Sequence, residues 1–180
     1  MNDFDIKSIR SRLEKGNQKF RSVPFTTLDT NEELRAYLEE NGQHPFAIVI
    51  ACADSRVNPE AIFCCGLGEI FVIRSAGHVV LDGEMASVAY AIDHLHCPYI
   101  LVLGHTNCGA VKSVLKGMKE DLLSPILEYV ATALNGEKEP REAERKNVLY
   151  SVDRLQKAFP TVRIEGAVYD IKTGEVTFLD

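Results

Sequence analysis

Apolar and polar positions along the chain switch repeatedly between two periods, and the order of the switches predicts the architecture. Ile6, Ile9, Leu13 and Phe20 recur at helical spacing among charged residues, so residues 6–20 read as an amphipathic helix, and residues 32–40 read as a second. Gly42 and Pro45 end that helical region. Phe46-Ala47-Ile48-Val49-Ile50 is then a continuous apolar run of the kind buried on both faces of a parallel sheet. Asn58-Pro59-Glu60 starts a helix leading to Ile62 and Phe63, Gly66 and Gly68 break the chain, and Ile70-Phe71-Val72-Ile73 is the next strand. Asp82 is placed to cap a helix whose inner face carries Met85, Val88, Ala89, Ile92 and Leu95, before the strand Tyr99-Ile100-Leu101-Val102-Leu103. Beyond Gly109 a helical stretch runs to about Leu134. Asn135-Gly136 interrupts it, and a charged helix follows with Val148, Leu149, Val152 and Leu155 on one face. Residues 162–169 and 175–179, joined by Lys172-Thr173-Gly174, read as a closing β-hairpin.

Alternating strands and helices predict an α/β fold of right-handed β-α-β units. The expected core is a mostly parallel four-stranded sheet with a C-terminal antiparallel edge strand and helices on both faces, preceded by an N-terminal helical arm. At 180 residues and 46% hydrophobic content one domain suffices, divided into an arm of residues 1–41 and an α/β core of residues 42–180. Ligands of such sheets bind just beyond the carboxyl ends of the strands.

Charge narrows the partners. A net charge of −6 without any Lys/Arg cluster argues against nucleic acid and against an anionic membrane, leaving a small substrate. The segment Met1-Asn2-Asp3-Phe4-Asp5-Ile6-Lys7 has no apolar core of a signal peptide, and no stretch approaches the roughly 20 apolar residues that span a bilayer, so a cytoplasmic protein is expected. Five cysteines in such a chain favour metal binding or reduced thiols over a disulfide framework. The adjacent Cys64-Cys65, and Cys97 before Pro98, read as small buried hydrophobes.

Chemistry gathers at two strand ends. Cys52-Ala53-Asp54-Ser55-Arg56 follows one apolar run and His105-Thr106-Asn107-Cys108 follows another. Two thiolates and an imidazole neutralise Zn²⁺ and leave the fourth tetrahedral position for water or an exchangeable carboxylate, the mark of a catalytic rather than a closed structural site. Taken alone, Cys52 reads as core, and Asp54 with Arg56 as a structural ion pair at a turn. The His-x-x-Cys spacing moves both toward a metal site. Gly104-His105-Thr106-Asn107-Cys108-Gly109 is not a P-loop, because Ala110-Val111 stand where that motif needs Lys and Ser/Thr. His94 and His96, at a helix end, read as partners of the helix dipole rather than as ligands.

With strands and helices in this order, Cys52-x-Asp54-Ser55-Arg56 and His105-x-x-Cys108 resemble the β-class carbonic anhydrases. The likeness extends through residues 68–77 and through Gly166-Ala167-Val168-Tyr169-Asp170 with Thr173-Gly174. It implies one Zn²⁺ per chain on Cys52, His105 and Cys108, with Asp54 either a fourth ligand at rest or paired with Arg56 in the active form. Gln43, in Gly42-Gln43-His44-Pro45, matches the family's substrate-orienting glutamine. The implied activity is carbonate dehydratase, the reversible hydration of CO₂ to bicarbonate and a proton by hydroxide formed at the zinc. Asp54, Arg56 and Gln43 are the expected catalytic residues, and His78 or His44 the candidate proton shuttles. Two other readings stay open: a related zinc hydrolase acting on another linear molecule such as carbon disulfide, and a catalytically silent zinc-binding scaffold. The sequence departs from the family at Ser75, where many members carry Asn. Val49 stands where a bicarbonate-regulated subset has Trp, so that regulation is not expected although Arg74 matches another residue associated with it. The resemblance also implies a homodimer or tetramer in which the arm helices embrace a partner and the cleft lies near the interface. Burial of those helices on their own sheet is the alternative.

Overall fold

Two strands in which every residue is buried, β1 (Ala47–Cys52) and β3 (Tyr99–His105), lie side by side at the centre of a five-stranded sheet. The structure, a computed structural model, describes residues 6–23 and 27–179; Met1 to Asp5 and the side chain of Ile6, on which parts of the sequence reading fall, lie outside it. The sheet order is β2-β1-β3-β4-β5, with β2 (Ile70–Ser75) and β4 (Arg163–Tyr169) parallel to the centre and β5 (Val176–Leu179) antiparallel at the edge. Because side chains alternate along a strand, Ile48 and Ile50 face one layer while Ala47, Val49 and Ala51 face the other. Continuous apolar runs are thus the consequence of helices on both sides.

The first layer holds α4 (Asp82–Asp93), α5 (Gly109–Leu115), α6 (Ser124–Leu134) and α7 (Pro140–Ala158), which pack against Ile48, Ile50, Ile100 and Val102. The second holds α1 (Ile6–Ser22) and α3 (Pro59–Ile62), with Ile9, Leu13, Ile62 and Phe63 on Val49, Leu101 and Leu103. No helix of the described residues is long and apolar enough to cross a membrane.

The structure revises three expectations. The stretch from Gly109 to Leu134 is two helices, since α5 ends at Leu115, Gly117 takes a left-handed φ of 70°, and a 3-10 turn at Asp121–Leu123 leads into α6. Ser124-Pro125 makes a fresh helix start there, because proline is tolerated in a first turn but not in a helix interior. At α4, Asp82 lies inside the first turn and Glu84 closes the end by accepting the Leu81 N–H at 3.0 Å.

The third revision concerns the arm. Helix α1 lies on its own sheet, where burying Ile9 and Leu13 is worth roughly 3–6 kcal/mol. Gly16 permits the approach, since a Cβ there would stand 1.9 Å from the Phe63 carbonyl oxygen. Asn17 then fixes it, donating to the Gly174 carbonyl at 2.9 Å and accepting the Val176 N–H at 3.0 Å. Helix α2 (Glu32–Asn41), capped by Asn31, buries no residue and leaves Tyr37 57% exposed.

Candidate metal centre

Strands β1 and β3 are in register from Ile48 opposite Ile100 to Ala51 opposite Leu103, so their carboxyl ends emerge together. Cys52 closes β1, His105 closes β3, and Cys108 follows as the residue before α5. Their ligand atoms lie within 4.8 Å of one another and all three residues are buried; among the described residues no other group meets this arrangement.

The imidazole is set for a ligand. Its Nδ1 lies 2.9 Å from the Thr106 carbonyl, which can only accept, so the proton sits on Nδ1 and the Nε2 lone pair is free. Nε2 is buried without a hydrogen-bond partner among the described residues. The two sulfurs respond to each other. A hydrogen bond from Cys108 holds the Cys52 thiol far below the ordinary thiol range, with His105 adding to it, and that same bond pushes Cys108 upward. Two adjacent thiolates repel, and a cation held between them relieves that repulsion. An orphaned imidazole nitrogen and two buried sulfurs, one ligand atom each, fit a soft to borderline divalent ion such as zinc.

Around this cluster the first turn is tied by guanidinium groups. Arg56 forks onto Asp54, Nε to Oδ1 at 2.9 Å and Nη2 to Oδ2 at 2.6 Å, and its backbone N–H donates to Oδ1 at 3.0 Å. These bonds hold the Asp54 carboxyl well below the usual range, so it stays ionised. The Asp54 side chain is 15% exposed against 49% for Arg56, and Asp54 stands outside the three-ligand cluster. Arg74 reaches back from β2 and donates to the carbonyls of Cys52, Asp54 and Val57 at 3.2, 2.8 and 2.7 Å.

Other expected residues are placed as follows. Gln43 and His44 are exposed beyond the amino end of β1, a strand length of about 16 Å from Cys52, so one chain does not bring them to its own cluster. His78 is buried with a φ of 46°, and burial pushes its imidazole down to about 4. Ser75 donates from Oγ to the Val79 carbonyl at 2.7 Å, closing the 3-10 turn of residues 76–78. His94 and His96 are exposed, and the His94 ring packs on Tyr90 at 5.2 Å between centroids. All five cysteines are free; burial pushes Cys65 and Cys97 up to about 12, while Cys64 is half-buried.

Sequence reading passed over Glu144 and Asn147 of α7, both buried. They sit in a run of charges that looks solvated. Yet positions 144, 148, 151 and 155 form one helical stripe with the apolar Val148 and Leu155, a period that could have marked Glu144 as facing inward.

Comparison with known proteins agrees with this geometry. The family model described as carbonic anhydrase matches residues 47–176. Carbonic anhydrase 2 of Mycobacterium tuberculosis is 41% identical over 115 residues, an alignment covering 62% of this chain and 53% of that protein, so the chain spans about half the length of this relative. The carbonic anhydrase of Mycolicibacterium smegmatis is 34% identical over 183 residues, covering 91% of this chain and 88% of the relative. Among solved structures, the β-carbonic anhydrase CcaA superposes with a TM-score of 0.71 at 30% identity, over 96% of this chain and 88% of that one. With buried cysteine and histidine ligands at the ends of β1 and β3, and this likeness through both sheet and site, the chain belongs to the β-class carbonic anhydrase family.

Proposed function

We propose that this protein hydrates CO₂ reversibly to bicarbonate and a proton, with one Zn²⁺ per chain held by Cys52, His105 and Cys108. The observation that carries the reading is the buried Nε2 of His105, without a hydrogen-bond partner among the described residues, within 4.8 Å of the two buried sulfurs of Cys52 and Cys108. When bound, zinc supplies Lewis acidity that brings a water's pKa to about 7.

The chain's own residues supply order around that ion. Cys52 and Cys108 neutralise it, and the Thr106 carbonyl keeps the His105 proton on Nδ1. Arg56 holds the Asp54 carboxylate away from the ligand cluster, filling Oδ1 with two hydrogen bonds while leaving Oδ2 a further lone pair. Asp54 would accept a hydrogen bond from the attacking O–H and so orient its lone pair toward the carbon of CO₂. His78 is neutral near pH 7 and closed to solvent, so protons leave by another route.

Gln43 works on this reading from a second copy of the chain, in a homodimer or a tetramer of such dimers. Its place at the far end of β1 supports that, as does the exposed Tyr37 on α2. Mixed dimers test it. Neither Gln43→Ala nor Cys108→Ser alone should be active, yet refolding them together should restore one intact site per heterodimer. No recovery in the mixture would refute a shared site. The free thiols suit a reducing, cytoplasmic setting.

Stopped-flow CO₂ hydration on zinc-loaded and chelator-stripped protein tests the activity, with carbon disulfide hydrolysis followed on the same sample. The reading expects zinc-dependent hydration that rises with pH through the neutral range. A zinc-loaded protein that hydrates no CO₂ would overturn it.

A further inference from the structure

Both sulfurs rest on one turn of α7, through groups that no part of the proposed chemistry uses. Glu144 Oε1 accepts the N–H of Asn107, the residue before Cys108, at 2.5 Å. Three residues on, Asn147 donates from Nδ2 to the Gly77 carbonyl at 3.0 Å, and the Gly77 N–H donates to Cys52 Sγ at 3.2 Å. Asn147 also meets His78 Nε2 at 3.1 Å. The spacing of three places both side chains on the same face of α7, toward the sheet end.

The need for such a support differs between the ligands. Cys52 and His105 belong to central strands, and Thr106 is pinned to β4 by its N–H on the Tyr169 carbonyl at 2.9 Å and by the Ile171 N–H on its Oγ1 at 3.1 Å. Asn107 turns away from that strand with a left-handed φ of 60°, and Cys108 lies on no strand at all. Where the Asn107 N–H leaves the sheet, Glu144 is the acceptor it meets. The Asn107 peptide is also gripped from its carbonyl side, where Arg56 Nη2 lies at 3.4 Å. That guanidinium is the one that restrains Asp54.

We propose that Glu144 and Asn147 are positioning residues of the metal centre: Glu144 sets the reach of Cys108 through the backbone of Asn107, and Asn147 sets Cys52 through Gly77. Neither touches the substrate or binds the metal. Through Asn107 the Glu144 carboxylate also braces Arg56, so that loosening it disturbs Asp54 as well. A buried carboxylate and a buried carboxamide are kept on the inward face of α7 because the two sulfurs need directed support, as outer partners of metal ligands commonly do.

The inference rests on the metal reading above, and one experiment keeps the two apart. Zinc transfer to a chromophoric chelator is timed for wild type, Glu144→Ala, Glu144→Gln, Asn147→Ala and the control Ser151→Ala. Ser151 is a buried polar residue of the same helix that bonds the Tyr129 hydroxyl and the Asn147 backbone carbonyl but reaches neither ligand turn. Glu144→Ala and Asn147→Ala should release zinc about 10–100-fold faster. Glu144→Gln keeps an acceptor oxygen and should fall between, and Ser151→Ala should match wild type. Release unchanged in Glu144→Ala and Asn147→Ala, or equally fast in Ser151→Ala, would overturn the proposal while leaving the zinc reading intact. Amide exchange over residues 105–110 of metal-free protein adds a readout independent of zinc: it should quicken in Glu144→Ala and Glu144→Gln, and unchanged protection would contradict the clamp.

Discussion

The two turns that build the candidate metal centre follow equally buried strands, yet they are held in opposite ways. Residues 52–57 are tied by guanidinium groups at the rim, with Arg74 on three carbonyls and Arg56 on Asp54, and the Arg56 side chain is half in water. Residues 105–108 are tied from beneath by β4 and by Glu144, and His105, Thr106 and Cys108 are all buried. A turn held by long, solvated side chains can exchange partners without disturbing the core. One held by buried backbone bonds cannot. The difference assigns adjustment to the first turn and the fixing of metal geometry to the second, although each contributes one thiolate.

Substitutions should separate these roles. The largest effect belongs to the thiolates themselves: Cys52→Ser and Cys108→Ser should each lose most bound zinc and nearly all hydration, measured by elemental analysis beside stopped-flow rates. Full zinc occupancy in Cys108→Ser would break the comparison at its base. Next comes Arg56→Ala, which should keep zinc but free Asp54 to approach the ligand cluster, with hydration falling by about 100-fold. The double variant with Asp54→Ala should be non-additive, because the pair acts as one unit. Near wild-type hydration by Arg56→Ala would mean that Asp54 needs no restraint. Arg74→Ala should cost about 10-fold in hydration and about 1–2 kcal/mol in unfolding stability, with zinc retained, as chelator titration and denaturant melts can check. Loss of zinc from Arg74→Ala would show the first turn to be as rigid a scaffold as the second. Smallest of all, Cys64→Ser and Cys65→Ser should keep metal and rate, since neither thiol enters the cluster.

Most of the fold was legible because a strand covered on both sides must be continuously apolar, and β1 and β3 are. The site was legible for a related reason: Cys, His and Asp at strand ends stand out against such runs. What covers a helix was not. Helices α1 and α2 carry similar apolar spacing before the first strand, but Gly16 and Asn17 let α1 seat on the sheet, while no residue of α2 is fully buried. Helical periodicity reveals a face and is silent about its partner. Gln43 was read by resemblance as part of the site, yet the strand direction puts it at the opposite end of β1 from Cys52, a consequence that only the topology exposes. Glu144 and Asn147 were hidden because their role lies in backbone N–H and carbonyl groups of distant turns, which no local pattern marks.

The central claim is that one sulfur from each turn and the free nitrogen of His105 hold a single zinc ion. X-ray absorption at the zinc edge of purified, zinc-loaded protein tests it most directly. The account predicts two sulfur scatterers at about 2.3 Å and an imidazole nitrogen at about 2.0–2.1 Å, with one light-atom ligand besides. A zinc shell of nitrogen and oxygen alone, or of four sulfurs, would contradict it.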